Sequence, residues 1–303
     1  MADSQRDVKN RIASVKNIEK ITRAMEMVAA ARLRRAEQRI GALRPYADAV
    51  RRMTRQAAEA AENIPSLPVL QEHESVDKVG VLLVTGDRGL AGAFNSQILR
   101  AGLRAGNEFE GEGKSVRWYA SGRRGVSSLT FRGKDVLGGY VGFTDRPAYA
   151  NAREIADDLI TAYVDGEVDR VDIFYNGYVS ALTQEVRRET LLPLAQATIL
   201  GGDDDEEEEM TEEEKRHRAL VEYEPDPAEI LHQLVPQYVE ISIYRALLES
   251  TASEHGARMT AMRNASENAG ELIDDLTLEM NRARQAEITQ EIMEVVAGAE
   301  SLR

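Results

Sequence analysis

The sequence predicts an α/β fold in which long N- and C-terminal helices pair as an antiparallel coiled coil around an intervening α/β domain. One observation is compositional: 18 of the 22 glycines lie between Gly80 and Gly202, and 12 of the 16 aromatic residues lie between Phe94 and Tyr178. Glycine permits turns and aromatic side chains fill compact cores, so the middle of the chain is typical of a globular domain. The other observation is an apolar repeat of about 3.5 residues at both ends, which indicates a coiled coil.

The N-terminal helix is predicted near residues 3–62. Small or apolar residues recur there in alternating steps of three and four: Leu33, Ala36, Ile40, Leu43, Ala47, Val50, Thr54, Ala57, Ala61 and Ile64. An earlier stripe, displaced by one change of phase, consists of Ile18, Ile21, Met25 and Val28. Both stripes are predicted to face a partner helix, because this spacing keeps one seam on one side of a helix.

The C-terminal helix is predicted near residues 227–300. Its stripe consists of Met262, Ser266, Ala269, Ile273, Leu276, Met280 and Ala283, and after a further change of phase of Ile288, Ile292, Val295 and Ala299. Each helix would be on the order of 90–100 Å long. Pro45 and Pro236 are expected to kink the helices without ending them, since the pattern continues beyond both. The same periodicity also fits an ordinary helical bundle, so periodicity alone leaves that alternative open.

The central domain is predicted to alternate strands with helices. Strands are predicted at 78–85, 115–121, 171–179 and 185–194, and amphipathic helices at 95–106 and 151–164. This alternation predicts a largely parallel sheet covered by helices on both faces, which is a Rossmann-like α/β domain.

The composition excludes several classes of protein. With no cysteine, the chain cannot form disulfides, zinc fingers or cysteine-ligated clusters. Its four histidines have no metal-ligand spacing, so no metal or cofactor site is predicted. The net charge of −14 argues against a nucleic-acid partner. No apolar run approaches the ~20 residues that span a bilayer, so a soluble, cytoplasmic protein is expected.

One glycine-rich segment, TGDRGLAGAFN at 85–95, follows a predicted strand and opens a helix. Gly86, Gly89 and Gly92 fit a phosphate-binding turn at a helix N-terminus. The segment lacks the Lys-Ser/Thr pair of a Walker loop, however, and its spacing differs from the dinucleotide fingerprint. A tight strand-to-helix turn explains the glycines without a ligand and is the favoured interpretation. No catalytic triad, carboxylate pair or metal cluster emerges, so the chain is not predicted to be an enzyme.

The terminal helices carry two features that indicate protein partners. Residues 1–62 contain 14 Lys or Arg and 8 Asp or Glu, with a cluster at Arg32, Arg34, Arg35 and Arg39. Such a cluster is usually a solvated helical face, and the functional alternative is docking onto an acidic protein surface.

The second feature is a polar interruption by Arg284 and Gln285 in the last apolar stripe. A specific partner is predicted there, because Arg can bind a carboxylate through two hydrogen bonds. The segment IMEVVAGAESL at 292–302 is apolar on more than one face. It is expected either to fray exposed or to lie in a sleeve supplied by other subunits.

Four segments together resemble one family. They are RIASVKNIEKITRAMEMVAAARLRRA at 11–36, TGDRGLAGAFN at 85–95, SEHGARMTAMRNASENAGELI at 253–273 and NRARQAEITQEIMEVVAGA at 281–299. In this order they closely resemble the gamma subunit of bacterial F-type ATP synthases. The resemblance covers both terminal helices almost throughout and weakens from about residue 105 to about residue 220.

The resemblance implies a rotary shaft without catalytic activity. In this family the paired terminal helices turn inside three alpha and three beta subunits, and the α/β domain joins the epsilon subunit and the c-ring of the membrane sector. Proton-driven rotation of the c-ring drives each beta subunit through its conformational cycle, and the shaft regulates ATPase activity and proton flow. No direct nucleotide binding is implied. The implied location is the cytoplasmic side of the cell membrane, peripheral through the complex.

The resemblance also implies contact residues for the alpha and beta subunits: Met25, Arg258, Arg284, Gln285, Thr289 and Glu291. Met25 would meet an acidic beta-subunit loop, with Arg258 in the matching stretch of the opposite helix. Arg284 and Gln285 look like the family's catch residues, and Thr289 and Glu291 match positions implicated in coupling.

The predicted division of the chain is an N-terminal coiled-coil helix at 1–65, a Rossmann-like domain at 77–200, an acidic loop at 201–224 and a C-terminal coiled-coil helix at 225–303. Ten of the twelve residues at 203–214 are acidic, which favours a solvated loop. Ala91 stands where the family commonly has cysteine. Since the chain has no cysteine pair, thiol regulation of the chloroplast type is excluded.

Overall fold

The computed structural model describes residues 5–60, 67–194 and 226–301. Helix α1 spans Gln5–Ala60 and helix α5 spans Pro227–Ser301. Both helices continue through their internal prolines, Pro45 and Pro236, as the apolar pattern predicts. The predicted acidic loop lies outside the described residues, and the predicted domain boundaries stay predictions.

The elements between the two long helices follow the predicted alternation. They are a short 3-10 helix at Pro68–Leu70, then β1 (Lys78–Val84), α2 (Phe94–Gly111), β2 (Ser115–Ser121), α3 (Arg123–Phe131), β3 (Val136–Tyr140), α4 (Tyr149–Val164), β4 (Arg170–Tyr178) and β5 (Gln184–Leu192). Two elements, α3 and β3, were not predicted from the sequence. Both are short, and glycine and serine interrupt their apolar patterns.

The contacts divide the chain into two compact units, one of residues Arg32–Ala257 and one of the residues up to Ala31 together with those from Arg258 onward. The first of these contains a five-stranded sheet in the order β3-β2-β1-β4-β5. β3, β2, β1 and β4 run parallel, and β5 pairs antiparallel with β4. The prediction of a largely parallel, Rossmann-like sheet is therefore confirmed.

Both faces of this sheet are covered. Val81 and Leu83 of β1 contribute to a buried cluster with α2 and α3. The alternate residues Leu82 and Val84 point to the opposite face, where they join α4 and residues 231–247 of α5 in a second cluster. Side chains alternate across a strand, so β1 supplies apolar residues to both cores.

The other unit contains an antiparallel helix pair. Thr22 Oγ1 lies 2.6 Å from Ser266 Oγ, and Arg263 Nε donates to Glu26 Oε1 at 2.9 Å. Val8 and Ile12 near the start of α1 share a buried cluster with Leu276, so residue numbers rise on one helix as they fall on the other. The predicted antiparallel pairing is confirmed.

The predicted stripe at residues 18–28 of α1 is wrong. Ile18, Ile21 and Val28 are 53%, 59% and 53% exposed. The buried or half-buried positions instead follow one uninterrupted alternation of fours and threes: Val8, Ile12, Val15, Glu19, Thr22, Glu26, Ala29 and Leu33. Three of these seam positions are polar. The apolar residues alone therefore predict a seam on a neighbouring side of the helix, which is exposed.

The predicted stripe on α5 is correct up to Ala283 and wrong beyond it. Its members from Met262 to Ala283 are buried or half-buried, whereas Ile288, Ile292 and Val295 are 48%, 57% and 72% exposed. The pairing of Ile12 with Leu276 brings the first described turn of α1 level with about Ala283. No described part of α1 therefore reaches the last turns of α5.

Candidate partner-binding surface

The predicted contact residues lie in the helix-pair unit and form two groups. Met25 is half-buried on α1, next to Glu26, whose carboxylate accepts the bond from Arg263. Arg258 on α5 is buried, with 8% of its surface exposed. The helix pair therefore holds both residues in defined positions and leaves Met25 partly accessible.

The second group occupies the last turns of α5. Arg284, Gln285, Thr289 and Glu291 are all exposed. Thr289 Oγ1 donates to the carbonyl oxygen of Gln285 at 2.8 Å, so this hydroxyl is satisfied within its own helix. Within the described ranges 5–60, 67–194 and 226–301, no side chain pairs with the Arg284 guanidinium. Its donors are available to a carboxylate or carbonyl of another subunit.

The structure does not bring the two groups together. Arg263, which bonds Glu26 beside Met25, precedes Arg284 by 21 residues of continuous helix. At ~1.5 Å per residue the groups are roughly 30 Å apart along α5. They cannot contact the same loop of a partner, so each needs its own contact.

This unit exposes many large apolar side chains, among them those of the segment from Ile292 that was expected to be either exposed or covered by other subunits. These side chains are 45–72% exposed: Ile18, Ile21, Met27, Val28, Leu272, Leu278, Ile288, Ile292, Met293, Val295 and Val296. Exposed apolar residues in this number are typical of a protein-binding surface. The continuous seam from Val8 to Leu33 would have revealed the α1 part of it, had polar residues been admitted to the pattern.

The glycine-rich segment forms a structural turn. Gly86 N donates to Asn95 Oδ1 at 2.8 Å, closing the loop before α2. The carboxylate of Asp87 accepts bonds from Gly142 N at 2.9 Å, Thr144 N at 3.2 Å and Arg123 N at 3.0 Å. Partial burial opposes ionisation, but these hydrogen bonds outweigh it and hold the pKa of Asp87 below its ordinary value. Asp87 thus connects the loop after β1 to the residues that follow β2 and β3.

The crevice where open α/β sheets usually bind ligands is occupied by the chain itself. It lies at the carboxyl ends of β1 and β4, where the strand order reverses. A Cβ built at Gly86 would lie 2.8 Å from Oε1 of Glu254, which is 1% exposed. The neighbouring Ser253 donates to the carbonyl oxygen of Asn176 on β4 at 3.1 Å. Helix α5 therefore fills the position that a phosphate would need.

Two residues of the basic cluster on α1 also have partners within the chain. Arg32 Nη1 donates to Asp145 Oδ2 at 2.6 Å, and Arg39 Nη1 donates to the carbonyl oxygen of Pro147 at 3.3 Å. Arg34 and Arg35 are exposed. The cluster is thus divided between internal contacts and a solvated face.

Neither a metal centre nor a membrane span is found in the part of the chain that the structure describes. No group of three or more His, Asp or Glu side chains there is arranged to hold a metal ion. None of the described helices has an apolar stretch long enough to cross a bilayer.

Comparison with known proteins identifies the architecture. A family described as ATP synthase matches residues 4–302. The ATP synthase gamma chain of Rubrobacter xylanophilus is 43% identical over 99% of this chain and 98% of its own length. That of Moorella thermoacetica is 42% identical over 98% of this chain and 99% of its own length.

Solved structures agree at the level of fold. A chain from the Euglena gracilis mitochondrial ATP synthase, in a structure of its OSCP/F1/c-ring, aligns with a TM-score of 0.68 at 18% identity, over 98% of this chain and 94% of its own. A chain from the central stalk/c-ring structure of the Tetrahymena thermophila mitochondrial ATP synthase aligns with a TM-score of 0.59 at 25% identity, over 81% of this chain and 99% of its own.

An α/β domain combined with an antiparallel pair of long helices is thus the fold that this chain shares with these ATP synthase chains. Because the identity to curated relatives exceeds 40% over nearly the whole chain, the chain belongs to the ATP synthase gamma chain family.

Proposed function

We propose that this chain is the central rotary shaft of an F-type ATP synthase. Its helix pair turns inside three alpha and three beta subunits, while its α/β domain joins the epsilon subunit and the c-ring. Rotation of the c-ring, driven by protons, is thereby coupled to the conformational cycle of the beta subunits. Family membership over residues 4–302 is the observation that carries this proposal.

The exposed surface of the helix pair supports the proposed location inside other subunits. The end of α5 carries Ile292, Met293, Val295 and Val296 at 55–72% exposure. Burying such side chains in a protein sleeve is favourable by about 25 cal/mol per Å² of apolar surface. The apolar surface also carries no directional bonds that would oppose rotation.

The contacts that distinguish one rotary state from another are proposed to be polar. The exposed Arg284 and Gln285 would bind a loop of a beta or alpha subunit in one state, with Thr289 and Glu291 one and two turns further along. Met25 and Arg258 would form a separate contact nearer the α/β domain in sequence. A shaft can shift the equilibrium of a beta subunit only if it binds the states of that subunit unequally.

The chain itself is proposed to be non-catalytic and to bind no nucleotide. The filled crevice beside Gly86 supports this, because Glu254 places a carboxylate where a phosphate would lie. We also propose that it regulates ATPase activity and proton flow through the same contacts. Its proposed location is the cytoplasmic side of the cell membrane, where it is held by the complex.

Reconstitution with alpha and beta subunits tests the proposed contacts. We expect ATP hydrolysis by the complex to change at least several-fold when Arg284 and Gln285 are both replaced by Ala, since charge-assisted hydrogen bonds between subunits are lost. Arg282→Ala is the matched control, because Arg282 is an exposed arginine on the side of the helix opposite Arg284. Equal rates for the double variant, the control and the unmodified complex would remove the basis of the proposed catch.

A further inference from the structure

Helix α1 is fixed to the α/β domain by polar bonds at one level of the helix. Arg32 donates to Asp145 at 2.6 Å, Arg39 donates to the carbonyl oxygen of Pro147 at 3.3 Å, and Tyr178 donates to Glu37. Partial burial opposes ionisation of Asp145, but the bond and charge of Arg32 outweigh it and lower the pKa of that carboxyl. The Arg32–Asp145 pair is therefore charged at neutral pH.

Helix α5 is fixed at the same edge of the sheet. Thr251 Oγ1 shares its one proton between the carbonyl oxygen of Thr144 at 2.9 Å and that of Leu247, one turn earlier on α5, at 2.8 Å. Ser253 Oγ donates to the carbonyl oxygen of Asn176 at 3.1 Å. A Cβ built at Gly256 would lie 2.9 Å from the carbonyl oxygen of Ala181, so only glycine fits this approach without a shift. Thr251 and Ser253 are 5% and 0% exposed, which protects both bonds from water.

One loop, residues 142–147, accepts hydrogen bonds from both long helices. Thr144 accepts the bond from α5, whereas Asp145 and Pro147 accept bonds from α1. The carboxylate of Asp87 holds this loop in turn, through Gly142 N and through the amide and hydroxyl of Thr144. The loop thus connects both helices to the residues that follow β1.

We propose that loop 142–147, with its bonds to Arg32 and Thr251, is the anchor that transmits torque between the α/β domain and the two long helices. Apolar packing is non-directional and resists rotation of a helix about its own axis only weakly. Hydrogen bonds with charged or buried partners fix an angle as well as a distance. Both helices continue from this level, α1 toward Gln5 and α5 toward Ser301.

This inference rests on the proposed rotary function, and its test uses the complex with alpha and beta subunits. Because the natural chain has no cysteine, Ser127→Cys on the exposed side of α3 creates one attachment site for a bead. With alpha and beta subunits free of reactive cysteine and held on a surface without ATP, the bead fluctuates about one angle. The width of that distribution reports the torsional stiffness between the α/β domain and the part of the shaft held by its partners.

Replacement of Arg32 by Ala is expected to increase the angular variance roughly twofold, since one of the two long helices loses its charge-assisted anchor while the other keeps its own. Arg32→Lys, which keeps the charge but replaces the planar guanidinium by a single donor nitrogen, is expected to give an intermediate value. Thr251→Val removes the anchor of α5 with little change of shape and is expected to act like Arg32→Ala. The rate of ATP hydrolysis at saturating ATP is expected to stay the same in all three.

Arg153→Ala is the matched control, because it removes an exposed arginine whose ion pair with Asp157 lies within α4. An unchanged variance in both Arg32→Ala and Thr251→Val, in complexes that still hydrolyse ATP and rotate, would overturn the anchor. Failure of the unmodified chain to assemble with alpha and beta subunits would instead overturn the rotary function on which the anchor rests.

Discussion

At the scale of single residues, Gly122 shows how closely the carboxyl edge of the sheet is packed. Its φ is 92°, and a Cβ there would lie 2.1 Å from the carbonyl oxygen of Thr85. Backbone atoms cannot move aside as the end of a side chain can. The position therefore requires glycine for space as well as for conformation.

We expect Gly122→Ala to lower the free energy of unfolding by about 3 kcal/mol or more, because steric overlap adds to backbone strain. Gly113→Ala is the control: its φ is 83°, but a Cβ there meets nothing within 4 Å. That change should cost only about 1–2 kcal/mol. Urea unfolding of both variants measures the difference, and equal losses would contradict the steric argument.

Asp87 predicts a pH dependence. Its pKa is below the ordinary 3.8 in the folded chain, so its ionised form stabilises the fold above about pH 4, and this stability is lost as the pH falls through the lower folded value. The stability advantage of the natural chain over Asp87→Ala should therefore shrink between about pH 5 and pH 2. Urea unfolding at several pH values measures it. An advantage that is constant over this range would show that the carboxylate charge contributes nothing.

At the scale of elements, the helix pair contains a polar layer in its seam. Thr22 and Ser266 are 8% and 9% exposed and lie 2.6 Å apart through their hydroxyl oxygens. Thr22 Oγ1 also donates to the carbonyl oxygen of Glu19 at 3.0 Å, so it accepts the bond from Ser266. Replacement of Thr22 then removes the acceptor of the buried Ser266 hydroxyl, which costs more than the bond itself contributes. The two residues should therefore be energetically coupled.

A double-mutant cycle tests this coupling. Thr22→Val and Ser266→Ala should each destabilise the chain by about 1 kcal/mol, and the double variant by less than the sum, with a coupling of about 0.5–1.5 kcal/mol. Ser14→Ala, an exposed serine on α1, should have an effect within about 0.5 kcal/mol. Additive losses in thermal unfolding would mean that the two hydroxyl groups do not act as a pair.

The same layer explains which elements the sequence could predict. Strong local patterns predicted both long helices and four of the five strands, because burial of one face imposes a period on the sequence. The antiparallel pairing was predicted from the position of the helices at opposite ends of the chain. Glu19, Thr22 and Glu26 broke the apolar pattern at the seam, so the phase of the first helix was assigned wrongly. Their partners Arg263 and Ser266 are more than 200 residues away, and no local pattern connects them.

The features of the candidate site also differ in whether the sequence could predict them. Arg284 and Gln285 are exposed, as are all residues from 284 to 298, so their predicted role as partner contacts stays a prediction. The filling of the sheet crevice by Glu254, and the pairing of Arg32 with Asp145, depend on residues distant in sequence. Those contacts follow only from the tertiary fold.

At the scale of the whole molecule, the proposed role as a shaft requires no nucleotide site on this chain. We expect no saturable binding when the isolated chain is titrated with ATP in a calorimeter, because α5 occupies the crevice beside Gly86. A complex of alpha and beta subunits, titrated in parallel, is the positive control. Stoichiometric ATP binding by the isolated chain would favour a nucleotide-binding protein instead.

The proposed rotary function requires that the chain turn relative to its partners. A bead attached at Ser127→Cys, in a complex whose alpha and beta subunits are fixed to a surface, is observed before and after addition of ATP. We expect continuous turning in one direction, with three pauses per turn for three beta subunits, that stops when ATP is withdrawn. ATP hydrolysis by the same complexes while the bead only fluctuates about a fixed angle would contradict it.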